Sequence, residues 1–135
     1  MARKIYVNLP VKDLPRSVAF FTALGFSFQP EFTNELGAGL IIEPDYSYVM
    51  LLAESFFQTF TKKAICEATQ NAELLLCLSC DSRQEVDDLV AKAVAAGGSV
   101  PRDPSEHDTM YGHAFEDLDG HIWELVHMPN MPSQG

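Results

Sequence analysis

The stretch Ala114-Phe115-Glu116-Asp117-Leu118-Asp119-Gly120-His121-Ile122-Trp123-Glu124-Leu125-Val126 decides the fold. Two apolar-rich runs flank Asp117-Leu118-Asp119-Gly120. Gly120 can take the positive φ that closes a tight turn, and the two aspartates can accept hydrogen bonds from nearby backbone N–H groups. The stretch therefore reads as a β-hairpin. Past the turn, strand alternation puts Ile122, Glu124 and Val126 on one face and His121, Trp123, Leu125 and His127 on the other. Glu124 is thus a carboxylate between two apolar neighbours on one sheet face.

Working back from the hairpin, Tyr111 to Glu116 forms its first strand. Pro101 to Asp108 reads as a loop, and Ser99-Val100 as a short strand. Ser82 caps a helix over 83–96 whose apolar stripe is Val86, Leu89, Val90, Ala93 and Val94, and Gly97-Gly98 stops it. Glu73 to Cys80 is a strand, and the polar Lys62 to Asn71 links two halves. In the first half, Ile5 to Val11 is a strand with Tyr6, Asn8 and Pro10 on one face. Asp13 caps a helix over 14–24, with Pro15 in its first turn and Gly25 at its end. Phe26, Phe28 and Pro30 alternate as a short strand. Gly37 to Glu43 and Tyr46 to Ala53 make a hairpin across Glu43-Pro44-Asp45. Ser55 to Lys63 is a short helix or lid, where Phe56, Phe57 and Phe60 either line a hydrophobic ligand mouth or pack in the core.

The halves repeat one order: strand, N-cap, helix, Gly, short strand, hairpin. Aligning the caps Asp13 and Ser82 pairs Tyr6 with Leu75, and aligning the turn residues Asp45 and Asp119 pairs Met50 with Glu124. The expected fold is α+β, two βαβββ modules whose mixed sheets form a cup: residues 1–64 with the lid segment, then 65–135, as one domain over 4–128.

The formal net charge of −10 argues against nucleic acid and anionic membranes as partners and suits a cationic guest. No apolar run reaches the ~20 residues of a membrane span, and the start of the sequence does not read as a signal peptide. Cys66, Cys77 and Cys80 lack a disulfide framework, which points to reduced thiols in the cytoplasm. Cys77-x-x-Cys80 has redox spacing, but it lies in a strand and reads as a pair of buried structural thiols.

Val11-Lys12-Asp13-Leu14-x-Arg16-Ser17-x-Ala19-Phe20-Phe21, then Leu24-Gly25-Phe26, and Glu116-Asp117-x-Asp119-Gly120-x-x-x-Glu124-Leu125 resemble the vicinal oxygen chelate superfamily. That group includes glyoxalase I, bleomycin-resistance proteins, fosfomycin-resistance enzymes and extradiol dioxygenases. The resemblance covers residues 4 to 128. It implies paired βαβββ modules, a homodimer, and, in glyoxalase-like members, a divalent metal held from the first and last strands of each module. Those positions here are Tyr6, Met50 (or Leu51), Leu75 and Glu124, the same four that the repeat selects. Only Glu124 is an ordinary hard-metal ligand; a thioether and an aliphatic chain do not hold Mg²⁺, Mn²⁺ or Zn²⁺, and a phenol does so only as phenolate.

The leading expectation is a glyoxalase/bleomycin-resistance-like, cytoplasmic homodimer that binds a small molecule in the cup without a tightly held metal or other cofactor. Glu124 is its candidate catalytic residue, with Tyr6, Asn8, Met50, Leu75, His113 and Phe57 as ligand-binding candidates. The face of His113 depends on whether Gly112 marks a bulge. Glu124 is expected to hydrogen-bond Tyr6 or Asn8. The alternative is a metal-dependent enzyme, lactoylglutathione-lyase-like or dioxygenase-like, with a divalent ion at Glu124 and unconventional co-ligands. A third reading is a structural or regulatory domain whose cup is closed by its own side chains.

Overall fold

The structure is a computed structural model that describes residues 3–107 and 109–129. The chain divides into two compact units, the first ending at Glu67 and the second beginning at Ala68. The first contains β1 (Ile5–Val11), α1 (Leu14–Ala23), β2 (Phe28–Gln29), β3 (Gly37–Glu43), β4 (Ser47–Ala53) and α2 (Glu54–Phe57). The second contains β5 (Leu76–Ser79), α3 (Arg83–Ala95), β6 (Ser105–His107), β7 (Met110–Glu116) and β8 (Ile122–His127).

Each unit has one open four-stranded mixed sheet, ordered β1-β4-β3-β2 and β5-β8-β7-β6. β1 runs parallel to β4 and β5 parallel to β8, while the other pairs are antiparallel. The strand order, pairing sense and helix placement repeat from one unit to the next. The α+β architecture of two βαβββ modules is as the sequence implies.

The helices start where a side chain can satisfy an orphan N–H. Asp13 Oδ1 accepts from the Arg16 N–H at 3.1 Å, and Ser82 Oγ accepts from the Glu85 N–H at 3.0 Å. Glu85 Oε1 in turn accepts from the Asp81 N–H at 2.6 Å, so the α3 cap is tied from both sides. The buried stripe of α1, Leu14, Ser17, Phe20 and Phe21, shares the first unit's core with Leu9, Val11, Leu40, Val49 and Leu51. In the second unit Val86, Val90 and Ala93 of α3 share theirs with Phe115, Trp123 and Leu125.

The turn before β8 is built around one carboxylate. Asp117 accepts from the backbone N–H groups of Asp119 (2.9 Å) and His121 (3.0 Å) and from Trp123 Nε1 (3.0 Å). Burial outweighs these donors and the charge of His121, and holds the Asp117 carboxyl above the usual carboxylate range.

Several boundaries differ from expectation. Leu74 and Leu75 precede β5 rather than joining it. Ser99 makes only an isolated bridge to Glu116. The expected loop from Pro101 contains β6, which hydrogen-bonds β7; Asp108 lies outside the described residues. Pro30 opens a 3-10 turn, Pro30–Phe32, instead of extending β2, since its ring removes a ladder donor. The lid segment is α2 followed by a 3-10 turn, Gln58–Phe60.

Candidate functional site

Each sheet has a face turned away from its long helix, and most of the candidate residues lie on these two faces. In the first unit Tyr6 is opposite Tyr48, Asn8 opposite Met50, and Met50 opposite Gly39. Residues opposite one another share a face, so Tyr6, Asn8, Tyr48 and Met50 stand together, away from the Leu9–Leu51–Ala38 row of the core. Tyr6 and Tyr48 stack with centroids 5.3 Å apart and planes 9° apart. Phe32 meets both edge-on, at 5.9 and 5.5 Å. Gly39 makes room for it: a Cβ there would lie 2.7 Å from Phe32 Cβ. Tyr48 is buried, but Tyr6 remains 44% and Phe32 37% exposed, so the cluster offers ring surface to solvent. The Tyr48 hydroxyl accepts from the Asp45 N–H at 2.9 Å.

In the second unit Glu124 lies opposite Cys77 on β5 and Ala114 on β7. Within its own unit Glu124 is met by Arg102, whose guanidinium donates to Glu124 Oε2 at 2.7 Å. The physical reason is reach: Arg102 sits in the loop between α3 and β6, and its long side chain brings a full positive charge to the carboxylate. The two side chains are 42% and 27% exposed. Glu116 lies on the same face, opposite Ile122, and accepts from Ser99 Oγ at 2.8 Å.

Leu75 precedes β5 and is exposed. The β7–β8 register runs unbroken from Tyr111–His127 to Glu116–Ile122, so Gly112 marks no bulge. His113, opposite Leu125, therefore faces α3 and not Glu124's side. There it neighbours a polar group in which Tyr111 Oη donates to Asp87 at 2.5 Å and Arg83 stacks on the Tyr111 ring at 4.3 Å. His113 Nδ1 is buried and has no hydrogen-bond partner among the described residues, and burial holds its pKa below the usual histidine value. Phe57 is half-buried in α2, while Phe56 and Phe60 meet edge-on at 5.1 Å with Phe60 exposed.

The thiols differ from expectation: Cys77 is exposed and Cys80 only half-buried. β5 spans only four residues and is an edge strand of its sheet. Desolvation, then the Glu124 charge, raises the Cys77 pKa; desolvation with the Glu85 and Asp81 carboxylates pushes Cys80 up to about 12. Both thiols stay protonated near neutrality, which argues against a redox pair.

Residues 3–52 match the family described as bleomycin resistance protein-like N-terminal. A solved structure of a hypothetical protein from S. aureus is 31% identical, covering 93% of this chain and 94% of that chain, with a TM-score of 0.77. The chain has the fold of the glyoxalase/bleomycin resistance structures, and its residues 3–52 carry the bleomycin resistance protein-like match. Two further structures share the fold. A glyoxalase-related enzyme from Fulvimarina pelagi is 22% identical over 98% of this chain and 92% of that one, TM-score 0.81. A glyoxalase/bleomycin resistance protein/dioxygenase family enzyme from Burkholderia phytofirmans PsJN is 22% identical over 94% and 99%, TM-score 0.75. No curated protein matches the chain.

The resemblance to metal-dependent superfamily members raises a divalent ion, and the residues here do not fit one. Of Tyr6, Met50, Leu75 and Glu124, only Glu124 is a competent donor, and Arg102 already lies against it. Among the described residues no group of three or more His, Cys, Asp or Glu side chains is gathered as an ion would need. No helix among them is long and apolar enough to cross a membrane.

Proposed function

We propose that this protein is a vicinal oxygen chelate superfamily member that binds a small organic molecule on a sheet face turned away from its long helix, without a tightly held divalent ion. The observation that carries this reading is the Arg102–Glu124 contact at 2.7 Å. A divalent ion at Glu124 would have to displace that guanidinium, and among the described residues no group of three or more His, Cys, Asp or Glu side chains is gathered to hold it. The aromatic cluster of Tyr6, Phe32 and Tyr48 supplies what a flat guest needs, ring faces and edges in part exposed to water. Asn8 and Met50 border it with an amide and a polarisable thioether.

The test is elemental analysis of protein purified without chelator, with ligand binding followed by calorimetry before and after chelator treatment. Metal-free bleomycin and planar aromatic cations are suitable probes. We expect well under one equivalent of metal per chain, and binding heats indifferent to the chelator. About one equivalent of zinc, nickel, manganese or iron, lost on Glu124→Gln, sinks the metal-free reading and revives a glyoxalase-like or dioxygenase-like enzyme.

We further propose that the chain works as a cytoplasmic homodimer. Ile5, Leu74, Leu75 and Val100 expose apolar surface at or near the sheet edges, where a second copy can cover it. Light scattering at micromolar concentration should give twice the 15.0 kDa chain mass; a monomer counts against this assembly.

A further inference from the structure

The Arg102–Glu124 pair has features of a binding site filled by its own chain. Glu124 stands on β8 between Ile122 and Val126, with Ala114 opposite, so its carboxylate lies in largely apolar surroundings on that face. The strand fixes its position. Arg102, by contrast, comes from an irregular loop, Pro101-Arg102-Asp103-Pro104, that belongs to neither α3 nor β6. The contact is single: one guanidinium nitrogen reaches one carboxylate oxygen, and neither side chain has any other hydrogen bond among the described residues. Glu124 Oε1 is left unpaired, and the bidentate fork that makes such pairs strong is not formed.

We propose that Glu124 is the anionic end of a site for an external organic cation of the amidinium or guanidinium class, and that Arg102 is its intramolecular placeholder. Three observations converge on this. The contact itself shows that a planar, delocalised cation fits against Glu124. On the same sheet face Glu124 has the Glu116 carboxylate and the protonated Cys77 thiol as ionisable neighbours, so displacing Arg102 leaves these strands with net negative charge. The net charge of −10 attracts cations from a distance and repels anions. Exposed single ion pairs are weak, so Arg102 is a poor competitor for a guest with a preorganised bidentate fork.

This inference rests on the preceding reading only in taking Glu124 to be free of a metal. Its test is calorimetric titration of benzamidinium, with neutral benzamide as control, into wild type, R102A and E124Q. Metal is assayed before chelator treatment and all three samples are then titrated metal-free, so metal in the untreated protein sinks the earlier reading while the titrations judge this one. Arg102 is a loop residue and Glu124 is part-exposed, so circular dichroism should show both variants folded. Removing the placeholder should tighten benzamidinium binding about two- to five-fold, the range that matches the usual strength of an exposed pair. E124Q should weaken it about ten-fold or more, because a charge-assisted hydrogen bond is lost. Benzamide should respond to neither change. An R102A protein that binds benzamidinium no tighter than wild type, or not at all, overturns the proposal, as does full affinity in E124Q.

Discussion

Replacing Gly120 with Ala is expected to destabilise the protein by roughly 3–5 kcal/mol, combining backbone strain with overpacking. Gly120 has φ +91°, a conformation that L side chains rarely adopt. A Cβ there would also meet backbone: Thr69 N and Cα at 2.8 Å and the Ala68 carbonyl carbon at 2.9 Å. These atoms cannot swing aside as the end of a side chain can, so the 68–69 segment would have to move or the turn would have to open. Gly25 isolates the first cost, since its φ of +100° is similar but nothing lies within 4 Å of its Cβ position. Gly25→Ala should therefore cost about 1–2 kcal/mol, from strain alone. The measurement is the urea midpoint of both variants against wild type. Equal losses would show that the 68–69 segment yields freely and that the close approach carries no weight.

That close approach could not be read from sequence, although the turn itself could. The turn was legible because Asp-Leu-Asp-Gly between alternating runs leaves few other conformations open. The segment beneath it is Ala68-Thr69, part of a polar stretch with no periodicity. The same contrast runs through the fold. α1 and α3 were legible from Asp13, Ser82, Gly25 and Gly97, where capping and chain reversal are local chemistry. β6 was not: Ser105, Glu106 and His107 are all polar, and an edge strand paired only with β7 has no apolar alternation to betray it. Leu74 and Leu75 misled in the opposite sense. The apolar run continues past the paired strand, whose register reaches only Leu76 with Trp123, where β8 leaves its turn.

Tyr6, Asn8, Met50 and Glu124 were legible as strand residues, but the rows in which they stand were not. The N-cap alignment is internally consistent, since Asn8 and Cys77 each lie five residues before their caps, opposite Met50 and Glu124. Tyr6 and Leu75 lie two residues further back. Tyr6 consequently joins an aromatic cluster with Tyr48 and Phe32 rather than the Met50 row. Phe32 was missed because it lies within a 3-10 turn, outside any strand alternation, and Arg102 because nothing local marks a loop arginine 22 residues from its partner. His113 could not be placed from sequence, since a glycine beside it permits a bulge and only the ladder shows that none forms.

Asp117→Ala should cost about 3–4 kcal/mol, and the reason lies in what it leaves behind rather than in the bonds counted. The carboxylate serves three donors at once. Two are backbone N–H groups of a turn, which can open slightly and reach water. The third, Trp123 Nε1, belongs to a fully buried side chain stacked on Phe115 with planes 3° apart. An indole N–H that loses its acceptor there has no water to turn to, and the unmet donor accounts for roughly 1–3 kcal/mol of the total. Trp123→Phe removes that donor while keeping an aromatic ring in place, at its own cost in lost volume. Asp117→Ala should then be less damaging in the Trp123→Phe background than in wild type, by about 1–2 kcal/mol. Chemical denaturation followed by circular dichroism measures all four corners of this cycle. Trp123 is the sole tryptophan, so in Asp117→Ala its fluorescence reports directly whether water enters the turn. Strict additivity, with unshifted emission, would mean that the indole finds another acceptor and that Asp117 serves only its own turn.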